Sequence, residues 1–156
     1  MNRLLLSLAA VAITVPAQAT IVTLTTPFNT GVDAGGVPLG TGGADPHFAW
    51  VGVPPSGGPT PVVLDHGAFP VPPWLDIAAG PTSRWIAPTT NANGNAGSYI
   101  YRTTFTVPAG VDPSQVYLRG RWASDDPGAT ITVNGVASGI TNGSGFTAWS
   151  DFAIQR

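Results

Sequence analysis

The stretch that decides the fold is residues 99–135, YIYRTTFTVPAGVDPSQVYLRGRWASDDPGATITVNG. Apolar and polar residues alternate along it with a period of two, which is the pattern of a half-buried β-strand. Three strands are predicted, at 99–107, 116–122 and 130–133. The stretch ends on Asn134-Gly135, the strongest short signal for a β-hairpin. The sequence therefore predicts a sheet with one apolar face.

That apolar face is expected to form a core. A sheet buried on one side needs a second layer over it, which predicts an all-β, antiparallel β-sandwich. The side chains expected to be buried together are Phe105, Leu118, Trp122, Ile131, Val133 and Phe152, and those expected on the outer face are Arg102, Arg119 and Arg121.

Further short strands are predicted on either side of this stretch. They are expected at residues 21–26, 47–53, 61–64, 83–87 and 145–154. The connections between them are rich in Gly and Pro, as turns require. The chain contains no Lys and no Glu, so two of the strong helix formers are missing. We therefore expect essentially no helix in the mature chain.

The N-terminus has the features of a secretory signal peptide at residues 1–19. Arg3 supplies a positive charge, 4–15 is apolar, and Ala17-Gln18-Ala19 is a small-x-small cleavage site. The apolar run is shorter than the ~20 residues that span a bilayer. The sequence predicts a protein that is secreted or held at the cell surface, with no membrane span in the mature chain and one β-sandwich domain at 20–156.

Composition excludes several classes of function. There is no Cys, which removes thiol catalysis and Cys-ligated zinc. The formal net charge of −2 disfavours nucleic acid as a partner. No G-x-S-x-G segment or comparable context points to a nucleophile. We therefore predict that the protein is not an enzyme.

Three motifs within the deciding stretch resemble a known family. They are YRTTFTVP at 101–108, LRGRWASDD at 118–126 and ATITVNG at 129–135. Together they resemble the noncatalytic jelly-roll domains of the galactose-binding-like superfamily, and more closely the small secreted bacterial proteins that carry PEP-CTERM sorting signals. The resemblance covers residues 29–154. It implies a jelly-roll fold, a place at the cell surface or in the extracellular matrix, and glycan binding.

The resembled domains continue with two more strands before the sorting signal. This sequence has no Pro-Glu-Pro motif, and it stops at Arg156. The resemblance therefore implies a domain that lacks its last strands and is C-terminally incomplete.

Two groups of acidic and imidazole side chains are candidates for a metal. Asp45 with His47 and Asp65 with His66 each place a carboxylate beside an imidazole. Their spacing has no i,i+2 or i,i+4 ligand pattern, and the alternative is that the aspartates cap turns. The sequence alone leaves both interpretations open and predicts no cofactor.

The paired carboxylates Asp125 and Asp126 are the other candidate. Placed in a turn between strands, they could bind a structural calcium or accept hydrogen bonds from sugar hydroxyls. The alternative is turn chemistry, because Asp-Pro-Gly is a typical turn sequence. We predict the structural role, with calcium as the alternative.

Tryptophan is the most direct signal for a ligand. The chain has 5 Trp, and exposed Trp on a β-sandwich can stack on sugar rings. Strand phase predicts that Trp50 and Trp122 belong to the core. It puts Trp149 on a polar face with Asp151, and Trp74 lies in a Pro-rich loop. The predicted ligand residues are Trp74, Trp149 and Asp151.

These observations favour one function and leave two alternatives. The favoured function is that of an exported, noncatalytic β-sandwich at the cell surface or in the matrix that binds extracellular polysaccharide. The first alternative is a structural or assembly subunit that binds a surface protein. The second is a secreted hydrolase, for which the sequence supplies no catalytic group.

Overall fold

The computed structural model describes residues 27–65, 72–75, 82–126 and 130–155. The predicted signal peptide and the predicted strand at 21–26 lie outside these ranges. Within them the chain is all-β, as predicted, and the one helical element is the 3₁₀ turn Pro113–Gln115. No helix in this part of the chain is both long and apolar enough to cross a membrane.

Eight strands form four separate antiparallel pairs in the described residues. The strands are β1 Ala49–Trp50, β2 Val62–Val63, β3 Ile86–Ala87, β4 Tyr101–Arg102, β5 Tyr117–Trp122, β6 Thr130–Val133, β7 Val136–Thr141 and β8 Ser150–Gln155. The pairs are β1 with β4, β2 with β3, β5 with β8, and β6 with β7. Each sheet is therefore only two strands wide in the part of the chain that the structure describes.

The predicted hairpin is confirmed. Strands β6 and β7 join at Asn134-Gly135, with φ angles of 51° and 81°. Positive φ at both central residues gives the tight turn whose twist matches that of the flanking strands. Val133 lies opposite Val136 in the resulting register.

The β5–β8 pair confirms the predicted strand phase. Its register runs from Tyr117 opposite Gln155 to Trp122 opposite Ser150. On the inner face, Leu118 is half-buried and its partner Ile154 is buried. The outer face carries the arginines at 119 and 121, and both are exposed as expected.

Four predicted strands, those at 47–53, 61–64, 83–87 and 99–107, pair over only two residues each. Only Ala49–Trp50 of 47–53 and only Tyr101–Arg102 of 99–107 pair as strands. Gly52 has φ of 78°, a left-handed conformation that ends the extended run just past Trp50. Apolar alternation therefore predicted where these segments are, but not how far they pair.

The expected core is only partly correct. Each of its six side chains is half-buried, and the fully buried hydrophobic residues among those described are Val32, Trp50, Val63, Leu64, Ala87 and Ile154. Trp50 is in the core as predicted. Trp122 is half-buried, and its buried indole nitrogen has no hydrogen-bond partner among the described residues. Among the described residues the sheets are only two strands wide, which leaves their inner faces partly uncovered, whereas the largest fully buried apolar side chains, Leu64, Val32 and Val63, belong to other segments.

Residues 29–31 are fastened to residues far along the chain. The Asn29 side chain donates to the Thr82 carbonyl at 2.6 Å, and the Thr30 hydroxyl donates to the Arg84 carbonyl at 2.8 Å. Gly31 has φ of 66° and approaches Arg84 so closely that an added Cβ would lie 2.4 Å from the Arg84 Cβ. Only glycine fits this position without displacing the neighbouring backbone.

Candidate functional site

The candidate ligand residue Trp149 lies on the outer side of the β5–β8 pair. It precedes β8, is half-buried, and has the Arg121 guanidinium 4.7 Å from its ring centroid. Arg121 lies directly opposite Asp151 in the strand register. We call these three residues the Trp149 surface. Two of them, Trp149 and Asp151, were predicted as ligand residues, and the structure places both beside Arg121.

The guanidinium of Arg121 lies over the Trp149 indole and stabilises this arrangement. An arginine stacked on a tryptophan contributes ~0.5–1 kcal/mol at an exposed site. Arg121 projects from a paired strand, so its backbone is held by β8. The surface thus combines an aromatic face, a guanidinium and a carboxylate, which are groups that bind sugar C–H faces and hydroxyls.

A buried amide holds the connection that carries Trp149. Asn142 is 1% exposed, and its nitrogen donates to the Ser124 hydroxyl at 2.9 Å and to the Gly145 carbonyl at 2.8 Å. Its oxygen accepts from the Ser144 N–H at 3.2 Å and the Ser150 hydroxyl at 2.9 Å. Both amide protons and both oxygen lone pairs are used. This Asn142 hub ties the first part of the 142–149 connection to Ser124 and to Ser150, the residue after Trp149.

The other predicted ligand tryptophan, Trp74, lies in an aromatic cluster. Its ring centroid is 5.2 Å from that of Trp85, edge-on, and 5.3 Å from that of Phe146, stacked. The Trp85 indole N–H donates to the Leu75 carbonyl at 3.2 Å. Trp74 is half-buried, and its contacts with two other rings give it a packing role. Trp149 is therefore the better placed of the two for a ligand.

In the first metal candidate, the carboxylate of Asp45 is occupied by backbone N–H groups. Asp45 is 2% exposed, and its carboxylate accepts from the N–H groups of Gly31 at 2.6 Å, His47 at 2.7 Å and Phe48 at 3.0 Å. The ring of His47 stacks on Phe28 with centroids 3.8 Å apart. His66 lies outside the described residues. Asp45 therefore acts as a turn cap, which was the alternative interpretation.

The carboxylates of Asp125 and Asp126 are both exposed. Desolvation, followed by the charge of Asp126, raises the pKa of Asp125 above its ordinary value. Within the described ranges there is no group of three or more His, Cys, Asp or Glu side chains arranged to hold a metal ion. The turn role stays the prediction for this pair, with calcium as its alternative.

Sequence reasoning missed two residues that shape the Trp149 surface. Arg121 was predicted only as an outer-face arginine, and Asn142 was not singled out. The signal for Arg121 would have been its register opposite Asp151, which requires knowing that β5 pairs with β8 across a sequence separation of 28–38 residues. Asn142 opens the turn sequence Asn-Gly-Ser-Gly, where Asn is common for local reasons, so its burial could not be read from its neighbours.

Comparison of the chain with protein families, with curated proteins and with solved structures finds no match.

Proposed function

We propose that this chain is an exported, noncatalytic β-sandwich protein of the cell surface or extracellular matrix, and that it binds glycans at the Trp149 surface. A jelly-roll-like arrangement of the strand pairs is part of the proposal. The inward faces of β5 and β8 support it, because Leu118, Phe152 and Ile154 all lie on the side that a second layer would cover.

One observation carries the glycan assignment. The partly exposed indole of Trp149 is held 4.7 Å from the Arg121 guanidinium on the same outer face as Asp151. A sugar would place its C–H face on the exposed part of the indole, while Arg121 and Asp151 hydrogen-bond to its hydroxyls. The Asn142 hub supports this role because a connection ordered before binding loses less entropy when the ligand arrives.

The test compares binding by tryptophan variants on a glycan array, followed by calorimetry on the best glycan. Trp149→Ala removes the stacking face and is expected to weaken binding at least about tenfold, or about 1.4 kcal/mol. Trp74→Ala is the comparison at the other predicted ligand tryptophan; it is expected to lower stability, because Trp74 packs on Trp85 and Phe146, and to retain more affinity than Trp149→Ala does. Asp151→Ala is expected to weaken binding because a hydroxyl loses its acceptor. Circular dichroism checks that each variant is folded.

Two results would contradict the proposal. One is an array on which the wild-type protein binds no glycan. The other is a glycan whose affinity is the same for wild-type and Trp149→Ala protein.

A protein partner is the second candidate function, and a different surface favours it. Val53 and Ile100 are 95% and 55% exposed, and the Val51 N–H donates to the Ile100 carbonyl, so these apolar residues lie on neighbouring segments. An exposed apolar surface of this kind is typical of a protein contact. Light scattering measures the oligomeric state of the purified protein. Comparison of the wild type with Val53→Ser and Ile100→Ser tests whether this apolar surface mediates assembly.

A further inference from the structure

An open depression beside β1 and β4 has the size of a small ligand site. Its volume is about 340 Å³, at the lower end of the roughly 300–1,000 Å³ typical of ligand pockets. The turn that enters β1 forms one side of it, and residues of β4 and its continuation form another. The polar side chains that line it and enter the argument are Asp45, His47, Thr60, Arg102 and Thr104.

Arg102 supplies the positive charge of this depression. It is exposed, and it lies on β4 opposite Ala49 of β1. Among the described residues its guanidinium has no hydrogen-bond or ion-pair partner. A planar guanidinium carries five N–H donors in a fixed fork that matches a carboxylate or a phosphate. The depression therefore presents unused donors to solvent.

The acidic residue in the same depression, Asp45, is bonded to backbone N–H groups and not to Arg102. The carboxylate of Asp45 is 2% exposed and already accepts three backbone N–H groups. The imidazole of His47 is likewise engaged, with Nε2 3.0 Å from the Asp33 carbonyl. Arg102 is left as the group that would meet a charged ligand.

We propose that this depression binds the carboxylate of an acidic sugar, a hexuronic acid residue within a polysaccharide. Arg102 donates two N–H groups to the two carboxylate oxygens, and the Thr60 and Thr104 hydroxyls bind the ring hydroxyls. The inference rests on the proposed glycan-binding function and specifies the class of glycan. It is built from other elements than the Trp149 surface, so it supplies a second contact.

The number of cationic groups in the depression favours a carboxylate over a phosphate. A phosphate group carries up to two negative charges and is usually held by several cations or backbone amides. Here a single guanidinium is available, and the chain has no Lys to add another charge. One arginine matches one monoanionic carboxylate.

The experiment is calorimetry of the mature protein with oligogalacturonate and with a neutral galactan oligosaccharide of the same length. Oligogalacturonate is expected to bind more tightly, and its affinity is expected to fall as salt is raised, because the arginine is exposed. Arg102→Gln is expected to lower affinity for oligogalacturonate at least about tenfold and to leave affinity for galactan unchanged. Arg102→Lys is expected to restore part of the loss.

The matched control is Arg119→Gln. Arg119 is also an exposed arginine on a strand, and its guanidinium lies 5.8 Å from the Tyr117 ring, on β5 rather than at the depression. It is expected to bind both oligosaccharides as the wild type does. Thr104→Val gives a second variant of the depression that leaves every charge in place, and it is expected to weaken oligogalacturonate binding.

The outcomes separate this inference from the proposed function. Binding of galactan at least as tight as that of oligogalacturonate would overturn the inference and leave the glycan proposal standing. Binding of neither oligosaccharide, nor of any other glycan, would overturn both. Equal affinity of wild-type and Arg102→Gln protein for oligogalacturonate would show that the acidic sugar binds elsewhere and would overturn the inference. If inorganic phosphate displaces the oligosaccharide more strongly than acetate does, the choice of a carboxylate is overturned.

Discussion

Asn142→Ala is expected to destabilise the protein by about 2–4 kcal/mol. The substitution removes four hydrogen bonds of the Asn142 hub, each with a net value of ~0.5–1.5 kcal/mol. Their simple sum is about 2–6 kcal/mol, and the lower part of that range applies because Ser124 and Ser150 are half-buried and can be rehydrated. The loss is a large share of the total stability of a small domain.

Urea unfolding followed by tryptophan fluorescence measures this change. With a slope of about 2 kcal/mol per molar urea, the midpoint is expected to fall by about 1–2 M. Asn93→Ala is the matched control, because Asn93 is exposed and its side chain has no hydrogen-bond partner among the described residues. Its free energy of unfolding is expected to change by no more than ~0.5 kcal/mol. If Asn142→Ala unfolds at the same urea concentration as Asn93→Ala, the hub contributes no net stability and the reasoning is wrong.

Two further predictions concern the β5–β8 pair and the acidic turn. Gly120→Ala would place a Cβ 2.6 Å from Cζ of the opposite Phe152 ring, so we expect its free energy of unfolding in urea to fall by ~1–3 kcal/mol. The control is Gly143→Ala, whose Cβ would meet nothing within 4 Å, and it is expected to unfold as the wild type does. Burial, and then the charge of Asp126, raise the pKa of Asp125 in the folded state, so ionisation of Asp125 lowers the free energy of unfolding. This cost is absent below the ordinary pKa of 3.8, and it grows as the pH rises from there through the folded pKa. Asp125→Asn is therefore expected to be more stable than wild type at pH 7 and equal to it at pH 3, and a stability difference that is the same at both pH values would contradict this.

The sequence predicted the local features of the fold well. Period-two alternation located β5 and its inward face, and Asn134-Gly135 located the hairpin, because both signals depend on a few adjacent residues. The same alternation overestimated the strand at 99–107. Pairing depends on a neighbouring strand, and Gly52 ends that neighbour only on the side that faces residues 99 and 100, so residues 103–107 stay unpaired for a reason that the alternation does not contain. The sandwich predicted from these faces remains part of the proposed function.

The candidate site was predicted in part, for the same physical reason. An aromatic residue at a strand position that otherwise carries polar residues can be recognised in the sequence. This pattern identified Trp149 together with Asp151. Their partner Arg121 became visible only with the β5–β8 register. Contacts between distant segments bury Asn142 and leave Arg102 exposed in a depression where the Asp45 carboxylate is bonded to backbone N–H groups. No local pattern contains that information.

The attachment of residues 29–31 to residues 82–84 sets a delay during synthesis. Asn29 and its acceptor at Thr82 are separated by 53 positions. At about 5–20 residues per second, a ribosome needs roughly 3–11 s to add them. For that interval Asn29 and Thr30 have been made but the carbonyls of Thr82 and Arg84 that accept from them have not, whereas the Asp45 carboxylate that accepts from Gly31 follows within 14 positions. Asn29 and Thr30 therefore stay without these partners until the 82–84 segment arrives, and during that time they are open to a chaperone or a translocation machinery.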